Sequence, residues 1–162
     1  MRQPVRGLFA GSFDPYTLGH HAVVTKASRL FDEVYVLVGL NTAKARTFDA
    51  EKMRDAMEET MEQDGLTNVK VVTYDKMVAD YCAEHEIDFL IRGIRNSMDY
   101  NYEENIAQVN KLLKPELESI YLRADDTAVS SSMVRELLTF GKDVSRYVPE
   151  PVLRLVQNEK QA

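Results

Sequence analysis

Ten consecutive residues, Gly11-Ser12-Phe13-Asp14-Pro15-Tyr16-Thr17-Leu18-Gly19-His20, carry the groups a phosphate needs. Gly11 permits a tight turn and close approach of the backbone to a ligand. A helix opening around Leu18 to His20 would aim unpaired N–H groups and a partial positive charge at an anion. His20, in the first helical turn, can reach the same anion, and Ser12 can supply a hydroxyl. Neither common phosphate fingerprint is present: there is no G-x-G-x-x-G and no G-x-x-x-x-G-K-[ST]. His21, one position round the helix, reads as structural or exposed, and Asp14 as a turn residue.

Further basic and polar groups could serve the same chemistry. Arg92-Gly93-Ile94-Arg95 puts two guanidinium groups around a glycine, a clamp for phosphate in forked geometry. Lys44 follows a strand and could neutralise a phosphate, with Arg46 able to act as a second cation. Ser130-Ser131-Ser132 precedes a helix at Met133. A serine run there can cap the helix, present N–H and hydroxyl groups to phosphate, or both. On residue type alone, Glu103 reads as a solvated helix position, Val78 as core packing and Cys82 as a small buried apolar residue. No Ser-His-Asp spacing suggests a covalent nucleophile.

The elements that must position these groups are legible from apolar runs. Val5 to Ala10, Val34 to Leu40, Val69 to Thr73, Ile87 to Arg92 and Ser119 to Leu122 read as five strands. Their near-continuous apolar character predicts a parallel sheet buried on both faces. Between them lie helical patterns: His20 to Leu30; a stripe of Met53, Ala56, Met57, Thr60 and Met61 with Asp49 as N-cap; and a short stripe of Val78, Tyr81 and Cys82. A long helix runs through Met98, Tyr102, Ile106, Val109, Leu112 and Leu113 to Pro115. Two more follow, Met133 to Leu138 closed by Gly141, and Pro151 to about Lys160. Alternating strands and helices predict one doubly wound α/β domain over residues 1–162, with a five-stranded Rossmann-like sheet. Ligands in such folds sit at the carboxyl ends of the strands, where all the loops above fall.

The whole constellation resembles the nucleotidyltransferase superfamily, whose members carry H-x-G-H or T-x-G-H at the start of the first helix. The T-x-G-H form inside G-[ST]-F-D-P, with R-G-[LI]-R, D-[FY]-x-Y-E and I-S-S-S further on, is similar to bacterial phosphopantetheine adenylyltransferases. The resemblance spans nearly the whole chain. It implies adenylyl transfer from ATP to 4′-phosphopantetheine, giving dephospho-coenzyme A and pyrophosphate. It implies that His20 stabilises the transferring phosphoryl group. ATP would also contact Ser12 and Phe13, then Gly93, Ile94, Arg95 and Glu103. Its remaining contacts would come from the loop Asp126-Thr127-Ala128-Val129 and from Ser130, Ser131 and Ser132. The acceptor would contact Ser12, Lys44, Val78 and Arg92. Mg²⁺ travelling with ATP, a homohexamer, and coenzyme A as a feedback ligand are implied as well. The chain departs from the family pattern at Tyr16, usually aliphatic, at Leu18, usually Asn, and at Ala45, often a second lysine.

Bulk properties exclude some classes. The net charge of −6, from 20 basic and 26 acidic side chains, argues against a nucleic-acid footprint. It leaves room for a local basic pocket. One cysteine excludes an intrachain disulfide and fits a reducing compartment, so a cytoplasmic site is expected. No window is apolar enough for a membrane span. Relatives that act on nicotinate mononucleotide, or use CTP on a phosphorylated alcohol, usually show H-x-G-H, against which Thr17 stands. A receiver-type signalling module would need an acidic cluster after the first strand, where only Asp14 occurs. A purely structural protein would not explain basic groups converging on strand ends.

Overall fold

In the computed structural model, residues 2–40, 45–95, 97–124 and 129–160 are described, apart from the side chains of Ser97, Met98, Tyr102, Glu103 and Lys160. The strands are β1 (Arg6–Gly11), β2 (Glu33–Gly39), β3 (Val69–Tyr74), β4 (Phe89–Ile94) and β5 (Glu118–Arg123). The helices are α1 (Leu18–Leu30), α2 (Ala50–Gln63), α3 (Val78–Glu84), α4 (Ser97–Leu113), α5 (Ser131–Thr139) and α6 (Glu150–Lys160). The expected architecture is present: one five-stranded sheet, all parallel, in the order β3-β2-β1-β4-β5.

Strand alternation divides the core in two. Phe9, Val36, Val38, Val71 and Ile91 turn to one face, where Val23 and Val24 of α1, Met53 and Met57 of α2, Val134 of α5 and Val152 of α6 bury against them. Leu8, Leu37 and Leu90 turn to the other, against Tyr81 and Cys82 of α3 and the loop residues Ile87 and Leu117. Both faces are covered, which is why the strands read as continuous apolar runs. The strand order reverses at β1, whose two neighbours, β2 and β4, leave their helices on opposite faces. A crevice opens there, beyond the carboxyl ends of β1 and β4.

Three details differ from the sequence reading. Helix α1 begins two residues earlier than His20, because Thr17 caps it. Strand β4 begins at Phe89 rather than Ile87, whose N–H instead closes α3 on the Cys82 carbonyl at 2.9 Å. On α4, the stripe residues Val109, Leu112 and Leu113 lie exposed, Leu112 at 83%. The end of α5 matches expectation: Gly141 has φ 69°, its N–H donates to the Leu138 carbonyl, and the Lys142 N–H donates to that of Leu137. That is a Schellman closure, and it requires a left-handed residue where glycine stands. Among the described residues no helix is long and apolar enough to cross a membrane.

Candidate active site

The geometry of the T-x-G-H run follows from helix capping. Thr17 is the N-cap of α1, and its hydroxyl accepts the His20 N–H at 3.3 Å. His20 stands at the third helical position and returns the bond, its Nδ1 accepting the Thr17 N–H at 3.0 Å. The motif is thus a capping box in which histidine takes the place usual for Glu or Gln. A backbone N–H can only donate, so Nδ1 is an acceptor. The neutral ring therefore carries its proton on Nε2. Burial, and then the Arg95 guanidinium, lower the His20 pKa to about 4. At neutral pH the imidazole is uncharged and offers an N–H donor.

Aromatic rings hold that imidazole in place. Phe13 meets it edge-on with centroids 5.0 Å apart, and Tyr16 stacks on it at 5.7 Å with a 20° interplanar angle. Gly11 contributes space rather than the expected turn. It is the last residue of β1, and a Cβ there would lie 3.1 Å from the Phe13 ring.

The loop between β1 and α1 is tied down from three distant places. The buried Asp14 carboxylate accepts the backbone N–H groups of Thr47 and Phe48, each at 2.9 Å. Arg46 donates to the carbonyls of Ser12 at 2.5 Å and Phe13 at 3.3 Å. Arg135 of α5 donates to the Asp14 carbonyl at 2.6 Å, and the Ser131 hydroxyl to that of Pro15 at 2.8 Å. The Leu18 N–H donates to the Tyr147 carbonyl at 2.8 Å. Asp14 sits in a turn, as expected, and is also a buried bracket. One sequence reading is corrected: Arg46 is spent on loop carbonyls instead of acting as a second cation beside Lys44. Arg135 was not singled out at all; side chain-to-carbonyl bonds across more than a hundred residues leave no local pattern.

These parts frame a cavity of about 310 Å³ at the strand ends. Its floor is Phe9 to Phe13 of β1 and the following loop, its walls the first turns of α1 and α5, and its far side Arg92, Gly93 and Arg95. Two helix N-termini therefore open on one space, a setting that attracts phosphate. Gly93 faces α1, since a Cβ there would come within 2.9 Å of Val23. Alternation then turns the buried Arg92 to the opposite face, the side of Leu90 and α3. Arg95 is exposed, and its Nε donates to Asp99 at 3.1 Å. Asp99 also accepts the Arg95 N–H at 3.0 Å.

The cytidylyltransferase-like family model matches residues 8–137, a span that includes most of β1, all of α1 and most of α5. Phosphopantetheine adenylyltransferases of Streptococcus pneumoniae, from strains CGSP14 and 70585, are each 43% identical over 157 residues, covering 95% of this chain and 96% of theirs. This chain belongs to the phosphopantetheine adenylyltransferase family. The fold has a wider likeness: a Vibrio parahaemolyticus protein described as a nicotinate-nucleotide adenylyltransferase superposes with a TM-score of 0.73 at 19% identity, over 98% of this chain and 94% of that one.

Of the residues expected to serve such an adenylyltransferase, nine line the cavity: Ser12, Phe13, His20, Arg92, Gly93, Arg95, Val129, Ser130 and Ser131. Ile94, Ser132 and Val78 do not line it. Val78 packs half-buried against the α3 side of the core. The serine run divides its work: Ser130 caps α5 by accepting the Met133 N–H at 3.2 Å, and Ser131 tethers Pro15. Lys44, Asp126, Thr127 and Ala128, with the side chain of Glu103, lie outside the described residues. His21 is structural, as expected, but buried. Cys82 is buried in the core, which pushes its thiol up to about 11.

Proposed function

We propose that this chain transfers the adenylyl group of ATP to 4′-phosphopantetheine, giving dephospho-coenzyme A and pyrophosphate. The observation that carries the reading is the His20 Nε2–H donor, fixed by Thr17 in a cavity that two helix N-termini and two arginines share. An acceptor phosphate oxygen bonds to the α-phosphorus as the bond to the bridging oxygen of pyrophosphate breaks, in line, with no covalent enzyme intermediate. Such transfer asks the protein mainly for positioning and charge stabilisation. A neutral N–H donor, oriented before the substrate arrives, supplies both. ATP phosphates fit over the first turns of α1 and α5, with Ser12, Ser130 and Arg95 in reach. The acceptor fits towards Arg92, which faces the other side of the sheet.

Among the described residues no group of three or more His, Cys, Asp or Glu is placed to hold a metal. The one carboxylate lining the cavity among the described residues, Asp99, bonds Arg95. The triphosphate itself would bring Mg²⁺, neutralising charge as it does on ATP generally. Coenzyme A, sharing the pantetheine arm, would compete for the acceptor side. A buried lone cysteine and the use of ATP support a cytoplasmic site.

The test is pyrophosphate release from ATP with three acceptors: 4′-phosphopantetheine, nicotinate mononucleotide and glycerol 3-phosphate. Release with the first alone is the expected result; preference for either other acceptor overturns the reading. In the same assay His20→Ala should lower kcat by roughly 10²–10³-fold with folding intact, the loss typical of one well-placed charge-stabilising donor. A variant with near-normal turnover removes His20 from the mechanism.

A further inference from the structure

The residue that stacks on His20 is itself held by a chain of side chains leading out of the cavity. Tyr16 is wholly buried, and its hydroxyl lies 2.9 Å from His21 Nδ1. His21 is also buried, and its Nε2 lies 2.5 Å from the Asp64 carboxylate at the end of α2. The proton order is set from the outer end. Asp64 can only accept, so Nε2 carries the His21 proton. In that tautomer Nδ1 is an acceptor, and the Tyr16 phenol donates to it. Burial keeps that phenol protonated well beyond the neutral range, in agreement with its donor role. Every polar atom in the relay has one partner of the right kind. The rings of Tyr16 and His21 also meet edge-on at 5.8 Å, so neither turns without the other.

Neither Tyr16, His21 nor Asp64 can touch substrate through this arrangement. Asp64 and His21 lie off the cavity lining, and Tyr16 presents its ring face to His20. His20 needs an orientation that two groups define. Thr17 fixes its Nδ1, but rotation about that bond would still swing Nε2. The Tyr16 face blocks that swing on one side and the Phe13 edge on another. We propose that Tyr16, locked by His21 and Asp64, is a positioning residue for His20, setting the direction of its Nε2–H towards the transferring phosphate. This rests on the phosphate role given to His20 above. The two adjacent histidines thus have separate duties, one facing the ligand and one anchoring the ring behind it.

Asp64→Ala is the most informative variant, because that side chain is 54% exposed and its loss leaves the core filled. Expected is a fall in kcat of about 10-fold, as for loss of an outer group that orients a functional histidine, with KM for ATP within about two-fold. Asp64→Asn, which keeps an acceptor oxygen, should recover most of the rate. Tyr16→Phe, which keeps the ring but frees it, should match Asp64→Ala. The deciding measurement is the pair of double variants with His20→Ala, since residues acting through one group lose their separate effects once it is gone. In the His20→Ala background, adding Asp64→Ala should change kcat by less than about two-fold. A further 10-fold drop there would show a general structural role and overturn the relay, as would wild-type kcat in Asp64→Ala itself. If His20→Ala alone keeps normal turnover, both the phosphate role and the relay fall; if it loses turnover while the double variant loses more, the relay alone falls.

Discussion

His20 offers a neutral N–H donor, and under the proposed role that has a pH signature. Its pKa of about 4 lies below the ordinary histidine value of 6.5, through burial and the nearby Arg95 cation. The free enzyme therefore keeps the ring uncharged down to acid pH, and kcat/KM should show no His20 inflection near 6.5 and a fall only towards 4. Comparing wild type with His20→Gln across pH 4 to 8 removes the titration of the substrate phosphates, which both share. The sign for stability follows from the same depression. Between about 4 and 6.5 the unfolded chain binds more protons than the folded one, so stability is full above 6.5 and is lost as pH falls through that window. Urea midpoints at pH 7 and pH 5 should drop further for wild type than for His20→Gln. Thr17, His20 and the two arginines were legible in the sequence because their motif is local. The tautomer was not, since it depends on a bond from a backbone N–H that only helix geometry places.

Elements bring the motif to the strand ends, and two of them meet more closely than most residues allow. Gly93 of β4 and Val23 of α1 leave no room for a methyl group: a Cβ would sit 2.9 Å from Val23 Cγ2. Gly93→Ala should therefore lower the melting temperature and weaken ATP use together, by displacing α1 and with it His20. Val23→Ala in the same chain should return part of both, measured by thermal denaturation and by pyrophosphate release. The cap of α1 is equally exacting. Thr17→Ala should cost about 1 kcal/mol of stability, the usual loss for an N-cap hydroxyl. Its effect on kcat should be larger than that suggests, because a backbone N–H without its partner hydroxyl holds His20 less well. The five strands and six helices were readable within about two residues. Buried parallel strands are apolar throughout, and helices repeat at 3.6. The brackets from Arg46, Asp14 and Arg135 were not readable, because each joins segments distant in sequence through a side chain that has no periodicity to betray it.

At the scale of the molecule, α4 and α5 present apolar side chains that the single chain does not cover. Val109, Leu112 and Leu113 are exposed on α4, as are Met133 on α5 and Phe140 at its C-cap. The oligomer that the family resemblance leads one to expect would cover them with a second copy of the chain, and that expectation has a direct test. Leu112→Glu should lower the mass seen by sedimentation velocity while leaving far-UV circular dichroism unchanged; an unaltered mass would place Leu112 outside any interface. The ties around the phosphate loop carry a different consequence, one of timing. Asp14 and Pro15 are bonded by Arg135 and Ser131, and Leu18 by Tyr147, so these three of the loop's partners emerge from the ribosome more than a hundred residues after it. At about 5–20 residues per second, that is a wait of several seconds at the least. A nascent chain halted at residue 125 would hold β1, α1 and the ties from Arg46, Thr47 and Phe48, but would lack those from Ser131, Arg135 and Tyr147. Nucleotide binding should then be among the last properties the growing chain acquires, arriving only once α5 and the segment to Tyr147 have closed over its beginning.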